Sequence, residues 1–190
     1  MNAYRKRVWS SLLEMIKLPE PYTRVMDFGS GDGWFAKQVL DAGLTRDLTP
    51  IDVKRRDQVW IEPQIYSGGA LPFPDRAFDL VYSVDVLHHC ADPFAQLNEL
   101  IRCSGRYLLL KDHTYETVLG KYTLAVMDEL GNRRFGIPSV YQYQRGMAWH
   151  FHLLEAGFIR SKFVHPLKCH VGILGGLTNS LQFVALYERC

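Results

Sequence analysis

Residues 25–33, Val-Met-Asp-Phe-Gly-Ser-Gly-Asp-Gly, set a short apolar run against glycines at 29, 31 and 33, and that junction limits the folds open to this chain. A glycine has no Cβ, so it can take a positive φ and let a ligand come close to the backbone. The pattern predicts a strand that ends in a nucleotide-binding turn. Asp27 lies at the strand's C-terminal end. Asp52 closes the next apolar stretch, residues 48–53, 23 positions after Gly29, where a carboxylate can grip both hydroxyls of a ribose.

The spacing departs from the dinucleotide fingerprint G-x-G-x-x-G, because the third glycine comes one residue early. A dinucleotide's pyrophosphate rests on a helix N-terminus, and here Asp27 and Asp32 would repel it; a cation would be accepted. D-x-G-x-G-x-G with a following acidic residue resembles the class I S-adenosylmethionine-dependent methyltransferases. The resemblance extends to Gly68-Gly69-Ala70-Leu71-Pro72-Phe73-Pro74-Asp75, then Phe78-Asp79-Leu80-Val81-Tyr82-Ser83 and Val86-Leu87-His88-His89, which look like the adenine loop, fourth strand and following helix of the ubiquinone-biosynthesis-like branch.

This resemblance implies S-adenosylmethionine as cofactor and S-adenosylhomocysteine as product. It places Asp27 near the methionine part, Gly29, Ser30 and Gly31 beneath it, and Asp52 with Val53 at the ribose. It sets Gly69, Ala70, Leu71 and Ser83 along the rest of the cofactor. That branch often carries an acidic residue just before Ala-Leu-Pro-Phe, where this chain has Gly69; adenine recognition then falls to backbone groups or to Ala70 and Leu71.

Strand and helix patterns alternate along the chain. Tyr4, Val8, Leu12 and Ile16 share one helical face, and Pro19 and Pro21 stop that helix. Strands are expected at 24–28, 48–53, 63–67, 78–84 and 105–111, with helices at 33–42 and 93–103. Such a βαβ series builds a parallel sheet wrapped by helices. A helix after Asp112 sets Val118, Tyr122, Val126 and Leu130 on one face, and another over 144–156 stops at Gly157. Two last strands, near 158–165 and 181–188, should pair as a long hairpin. The resemblance supplies the full architecture: an α/β, Rossmann-like, mostly parallel sheet of seven strands in the order 3-2-1-4-5-7-6, with strand 7 antiparallel. The expectation is one methyltransferase domain over residues 1–190, with an N-terminal helix in 1–20 and an acceptor-side cover in 113–145.

Ligands of open α/β sheets bind beyond the carboxyl ends of the strands, where strand order reverses. Asp85, His88 and His89 follow strand 4, and Lys111, Asp112 and His113 close strand 5, so the two groups should face each other across the transferred methyl. His113 is the preferred general base, because an imidazole titrates near neutrality, with Asp112 or Asp85 orienting it; His89 is the second choice. Asp85, Asp112 and His113 could also hold a divalent ion as in the catechol-type branch, but Asp112-His113 stands where that branch has Asp-Asn, and no metal is expected. Tyr4, Tyr141 and Tyr143 are candidates for the acceptor pocket. Asn132-Arg133-Arg134 could bind an anionic acceptor or be a solvated turn.

With 190 residues, 47% of them hydrophobic, the chain can bury a full core in one unit. A net charge of +2 gives no bulk electrostatic case for nucleic acid; the clusters Arg5-Lys6-Arg7 and Lys54-Arg55-Arg56 read as solvated faces. Cysteines 90, 103, 169 and 190 have no metal spacing and read as reduced thiols. No apolar run is long enough for a membrane span and no signal h-region opens the chain, so the expected location is cytoplasmic, as a monomer or homodimer. Tyr-Ser-Val-Asp at the end of strand 4 lacks the Pro-Pro-aromatic signature of base-amino methyltransferases. The expected acceptor is a small or carrier-linked metabolite, methylated on oxygen before carbon or nitrogen. The alternatives are a non-catalytic scaffold subunit, an RNA or protein methyltransferase, and a nicotinamide-dependent oxidoreductase.

Overall fold

The computed structural model of the protein describes residues 3–132 and 140–190. Its strands are β1 (Val25–Phe28), β2 (Leu48–Asp52), β3 (Gln64–Ile65), β4 (Phe78–Val84), β5 (Ser104–Tyr115), β6 (Gln144–Arg145), β7 (Phe158–Val164) and β8 (Gln182–Arg189). The helices are α1 (Ala3–Ile16), α2 (Trp34–Asp41), α3 (Pro93–Cys103), α4 (Val118–Asn132), α5 (Ala148–Glu155) and α6 (Gly172–Thr178). The sheet runs β3-β2-β1-β4-β5-β8-β7, with β6 a side branch on β5. Strands β1 to β5 pair in parallel, and β8 runs antiparallel to both β5 and β7. With the two-residue β6 set aside, this is the expected seven-strand order. Between β1 and β4 the chain changes direction across the sheet, and the cleft opens above that point.

Alternation along the central strands builds a core on both faces of the sheet. On one face Met26, Val81, Leu108 and Leu110 pack with Leu97, Leu100, Trp149 and Leu153 from α3 and α5. On the other, Val25, Leu80 and Leu109 pack with Val8, Leu12 and Ile16 of α1 and Val39 of α2. Helix α3 starts cleanly because Pro93 fills its first position and the Asp92 side chain accepts from the Ala95 N–H at 2.9 Å.

The chain departs from the sequence expectations in several places. Strand 63–67 shrinks to Gln64–Ile65, an exposed edge of the sheet. The helix expected over 144–156 begins only at Ala148, because Gly146 and Met147 take left-handed backbone angles (φ 62° and 59°) and β5, running on to Tyr115, offers Gln144–Arg145 a partner. The helix expected after strand 4 is a single 3-10 turn, Leu87–His89, and α6 interrupts the terminal hairpin. The stripe Val118, Tyr122, Val126 and Leu130 faces solvent, 59–71% exposed. It is Leu124, Met127, Asp128 and Gly131 of α4 that face the cleft. Among the described residues, no helix is long and apolar enough to cross a membrane.

Candidate active site

A cleft of ~1610 Å³ lies at the carboxyl ends of β1, β2, β4 and β5, larger than the ~300–1,000 Å³ that one ligand usually occupies. Its floor is the glycine turn. Gly29 and Ser30 donate their N–H groups to the Ile51 carbonyl at 2.8 and 3.1 Å, and Gly33 donates to Ser30 at 2.9 Å. Gly29, Gly31 and Gly33 have φ of 70°, 60° and 72°, left-handed values that a side chain strains to reach. A Cβ on Gly29 would stand 2.4 Å from the Val86 methyls, and one on Gly33 would stand 2.6 Å from the Ile61 carbonyl. Gly31, by contrast, has nothing within 4 Å of that position.

Asp52 ties the second strand to this turn. Its carboxylate accepts the Gly31 N–H at 2.8 Å and the Lys54 N–H at 3.1 Å, so its position is set by backbone groups. Gly29, Gly31, Asp52, Val53, Gly69 and Ala70 line the cleft. Asp27, Ser30, Leu71 and Ser83 are packed behind that wall, each at most 7% exposed. Burial pushes the Asp27 pKa up to about 8, with the Asp52 and Asp32 carboxylates adding to the shift and the neighbouring Tyr82 offsetting part of it.

Sequence reading missed Glu99 at the loop of residues 68–75. Its Oε2 accepts the Leu71 N–H at 2.7 Å, while Arg102 donates to Glu99 and to the carbonyls of Leu71 and Phe73 at 2.7–3.0 Å. A carboxylate thus reaches the cleft wall from α3 in place of the acidic residue that Gly69 lacks. The i,i+3 pairing of Glu99 with Arg102 was the one sequence signal that could have flagged it.

At the other end of the cleft, the end of β4, the end of β5 and helix α4 converge. Asp85 has a left-handed backbone (φ 58°) and is held by the fully buried Lys111, which also donates to the Tyr4 hydroxyl at 2.8 Å and Gln182 at 2.6 Å. Tyr4 in turn donates to Asp85 at 2.7 Å, so α1 closes over this side. Burial alone would raise the Asp85 pKa, but the Lys111 ammonium and His113 carry it below the usual value. Asp112, fully buried, accepts from His88 Nδ1 at 2.6 Å and from the His113 N–H at 2.7 Å. Burial opposes the His88 cation, yet Asp112 outweighs it and lifts His88 to about 10. Burial and the neighbouring His88 lower His113, and the same two causes take His89 down to about 4, so both stay neutral. Their faces differ: His113 Nδ1 lies 3.3 Å from His88 Nδ1 and its Nε2 lies 3.8 Å from Asp85.

The expected catalytic group Asp85, His89 and His113 is therefore brought together on the cleft wall, with Asp112 directly behind it. Asp112 orients His88 more closely than His113, whose Nδ1 is 3.4 Å away. Asp128, which no motif marked, enters from α4, with its Oδ2 receiving the Tyr143 hydroxyl at 2.9 Å. Tyr4 and Tyr143 line the cleft, while Tyr141 is exposed and bonds Glu129. Arg133 and Arg134 lie outside the described residues.

A family model described as a methyltransferase domain matches residues 1–165. The chain belongs to the methyltransferase domain family. An uncharacterized methyltransferase of Mycobacterium leprae is 28% identical over 121 residues, 58% of this chain and 44% of the relative, so the chain spans less than half the length of that curated relative. Among solved structures, an S-adenosylmethionine-dependent methyltransferase from Mesorhizobium loti superposes with a TM-score of 0.70 at 15% identity, covering 99% of this chain and 100% of the other. A putative methyltransferase of Haloferax volcanii, solved with the activator Trm112, gives 0.67 at 13%, covering 97% and 90%. The fold is that of these solved structures, and the methyl donor named for the Mesorhizobium loti enzyme is S-adenosylmethionine. The cleft suits it: Gly31, Gly68 and Gly69 leave open space where a Cβ would otherwise project, and Asp52 stands at the end of β2, where a ribose is gripped.

Proposed function

We propose that this methyltransferase domain methylates an oxygen of a small or carrier-linked metabolite. The observation that carries the reading is the division of one cleft, with a backbone-defined cofactor floor at one end and neutral histidines at the other. The bound cofactor supplies an activated methyl group on a sulfonium centre. Asp52 would hold the ribose hydroxyls, Gly29 and Gly31 the methionine part, and Gly69, Ala70 and Glu99 the adenine side. His113 would take the acceptor's proton at Nε2, with Nδ1 turned toward Asp112, whose orientation the His113 backbone N–H also fixes. Tyr4 and Lys111 keep Asp85 ionised beside that nitrogen and close the cleft against water. Placement carries most of the rate, because holding acceptor and methyl in attack geometry is worth roughly 7–11 kcal/mol, whereas a positioned base adds about 10²–10⁴-fold.

Calorimetric titration with S-adenosylhomocysteine tests the cofactor half: Asp52→Ala should weaken binding by about 1–3 kcal/mol. A folded wild-type protein that binds neither the cofactor nor its product would favour the scaffold reading. On a hydroxyl acceptor found by screening, His113→Ala should lower kcat by about 10²–10⁴-fold with little change in product affinity; full turnover would remove His113 as the base.

A further inference from the structure

The imidazoles at the acceptor end are arranged in a way that proton transfer does not explain. His88 Nε2 lies 3.8 Å and His89 Nε2 lies 3.7 Å from the same Asp128 Oδ1, and the three atoms lie within 4.8 Å of one another. Those separations are too long for direct hydrogen bonds. The two histidine–carboxylate separations are a few tenths of an ångström wider than the ~3.4 Å edge of a tetrahedron drawn around zinc with ~2.0–2.1 Å bonds, and the histidine–histidine edge lies within 4.8 Å. All three residues line the cleft.

The surroundings are those of a metal ligand set. His88 gives its Nδ1 to the buried Asp112 at 2.6 Å, which fixes the ring and points Nε2 toward the cleft, the carboxylate–histidine arrangement that supports metal-bound imidazoles. The Tyr143 hydroxyl donates to Oδ2 of Asp128 at 2.9 Å, and Oδ1 of the same carboxylate lies near both histidines. The ligands come from two supports, the turn Leu87–His89 after β4 and helix α4. Two imidazoles and a carboxylate make a three-ligand set with an open position, the composition of catalytic rather than structural zinc sites.

We propose that His88, His89 and Asp128 bind one divalent transition-metal ion of the zinc class at the acceptor end of the cleft, with Asp112 and Tyr143 as positioning residues. The open position faces the cavity and would take an oxygen of the acceptor, lowering that oxygen's pKa as metals do for bound water. This second step rests on the methyl-transfer reading, whereas metal binding itself does not.

The test is metal stoichiometry and affinity in the full chain. After chelation and dialysis, the protein is titrated with Co²⁺, followed by its visible d–d absorption, and with Zn²⁺ in competition with a chromophoric chelator. One ion per chain should bind, with the intensity of low-coordinate cobalt. His89→Ala and Asp128→Asn should each weaken binding by about 100-fold or more, and Asp112→Asn by about 10–100-fold. His152→Ala, at an exposed histidine bonded to Asn98 away from the cleft, should leave it unchanged. S-adenosylhomocysteine affinity, measured in parallel, reports folding and should stay within about twofold in every variant. No stoichiometric binding by the wild type, or equal binding by His89→Ala and Asp128→Asn, overturns the proposal. Metal binding without any cofactor binding would leave the site standing and remove the methyl-transfer reading; the converse result would do the opposite.

Discussion

The two ends of the cleft are built by different means. At the cofactor end the contacts are backbone groups: turn amides on the Ile51 carbonyl, the Gly31 N–H on Asp52, and glycines held at positive φ. At the acceptor end they are side chains: an imidazole on a buried carboxylate, an ammonium on Asp85, and a tyrosine on Asp128. A backbone-defined site tolerates little change because its shape is the fold itself. A side-chain site can be rewritten residue by residue while the sheet beneath it stays the same, which is how one fold serves many acceptors.

The ends come close where Gly29 faces Val86, just before the turn that carries His88 and His89. This sets the largest expected effect. Gly29→Ala would place a methyl 2.4 Å from the Val86 side chain at a φ of 70°, so either the glycine turn or the histidine turn must move. It should lower stability by about 2–4 kcal/mol and S-adenosylhomocysteine affinity by more than about 100-fold. Gly31→Ala has a similar φ of 60° but open space around it, and should lower stability by only about 1 kcal/mol. Denaturant unfolding and calorimetry of the pair measure the difference. Equal losses would show that the ends are not coupled through Val86.

The same contrast decides what could be read in the sequence. The glycine turn, Asp52 and the alternation of strands were legible because backbone geometry leaves local marks: Gly where φ is positive, apolar runs with period 2, and Pro93 where α3 starts. Side-chain clusters leave no such marks. Asp128 sits in the middle of α4 with nothing around it to distinguish it, and it matters only because α4 turns that face to the cleft. The stripe at 118, 122, 126 and 130 does mark one face of α4, but helical periodicity identifies a face and not what it meets. Strand 5 runs past its expected end at residue 111, where Lys111, Asp112 and His113 close it in the sequence reading. Lys111 and Asp112 are fully buried, and their pairing across β4 and α1 lets the strand continue to Tyr115.

A smaller effect probes the buried edge of the cofactor floor. Among the described residues, Oδ2 of Asp27 has no hydrogen-bond partner, and the Asp27 pKa is pushed up to about 8 against ~3.9 in an unfolded chain. Between those values the folded state holds a proton that the unfolded state has lost, so raising the pH through this window costs stability. Asp27→Asn should match the wild type near pH 4 and exceed it by a margin that grows steadily as the pH rises toward 8. The difference between the two proteins, followed by urea unfolding across the range, cancels every other titrating group. A difference that does not grow with pH would mean that Asp27 is ionised in place.

The mildest change tests whether a side chain can matter at the backbone end. Glu99 holds the Leu71 N–H, and Arg102 holds the carbonyls of Leu71 and Phe73 as well as Glu99 itself. Glu99→Gln keeps a carbonyl oxygen for the amide but removes the charge that pairs with Arg102, while Arg102 keeps its own grip on the loop. The loop should loosen without unfolding, and S-adenosylhomocysteine binding should weaken by about 3–10-fold with no change at the acceptor end. Unchanged affinity would mean that Arg102 and the backbone alone shape the adenine side, which makes the cofactor end a purely main-chain site. A loss well beyond this range would mean that Glu99 touches the ligand directly, and the contrast between the two ends would then be one of degree.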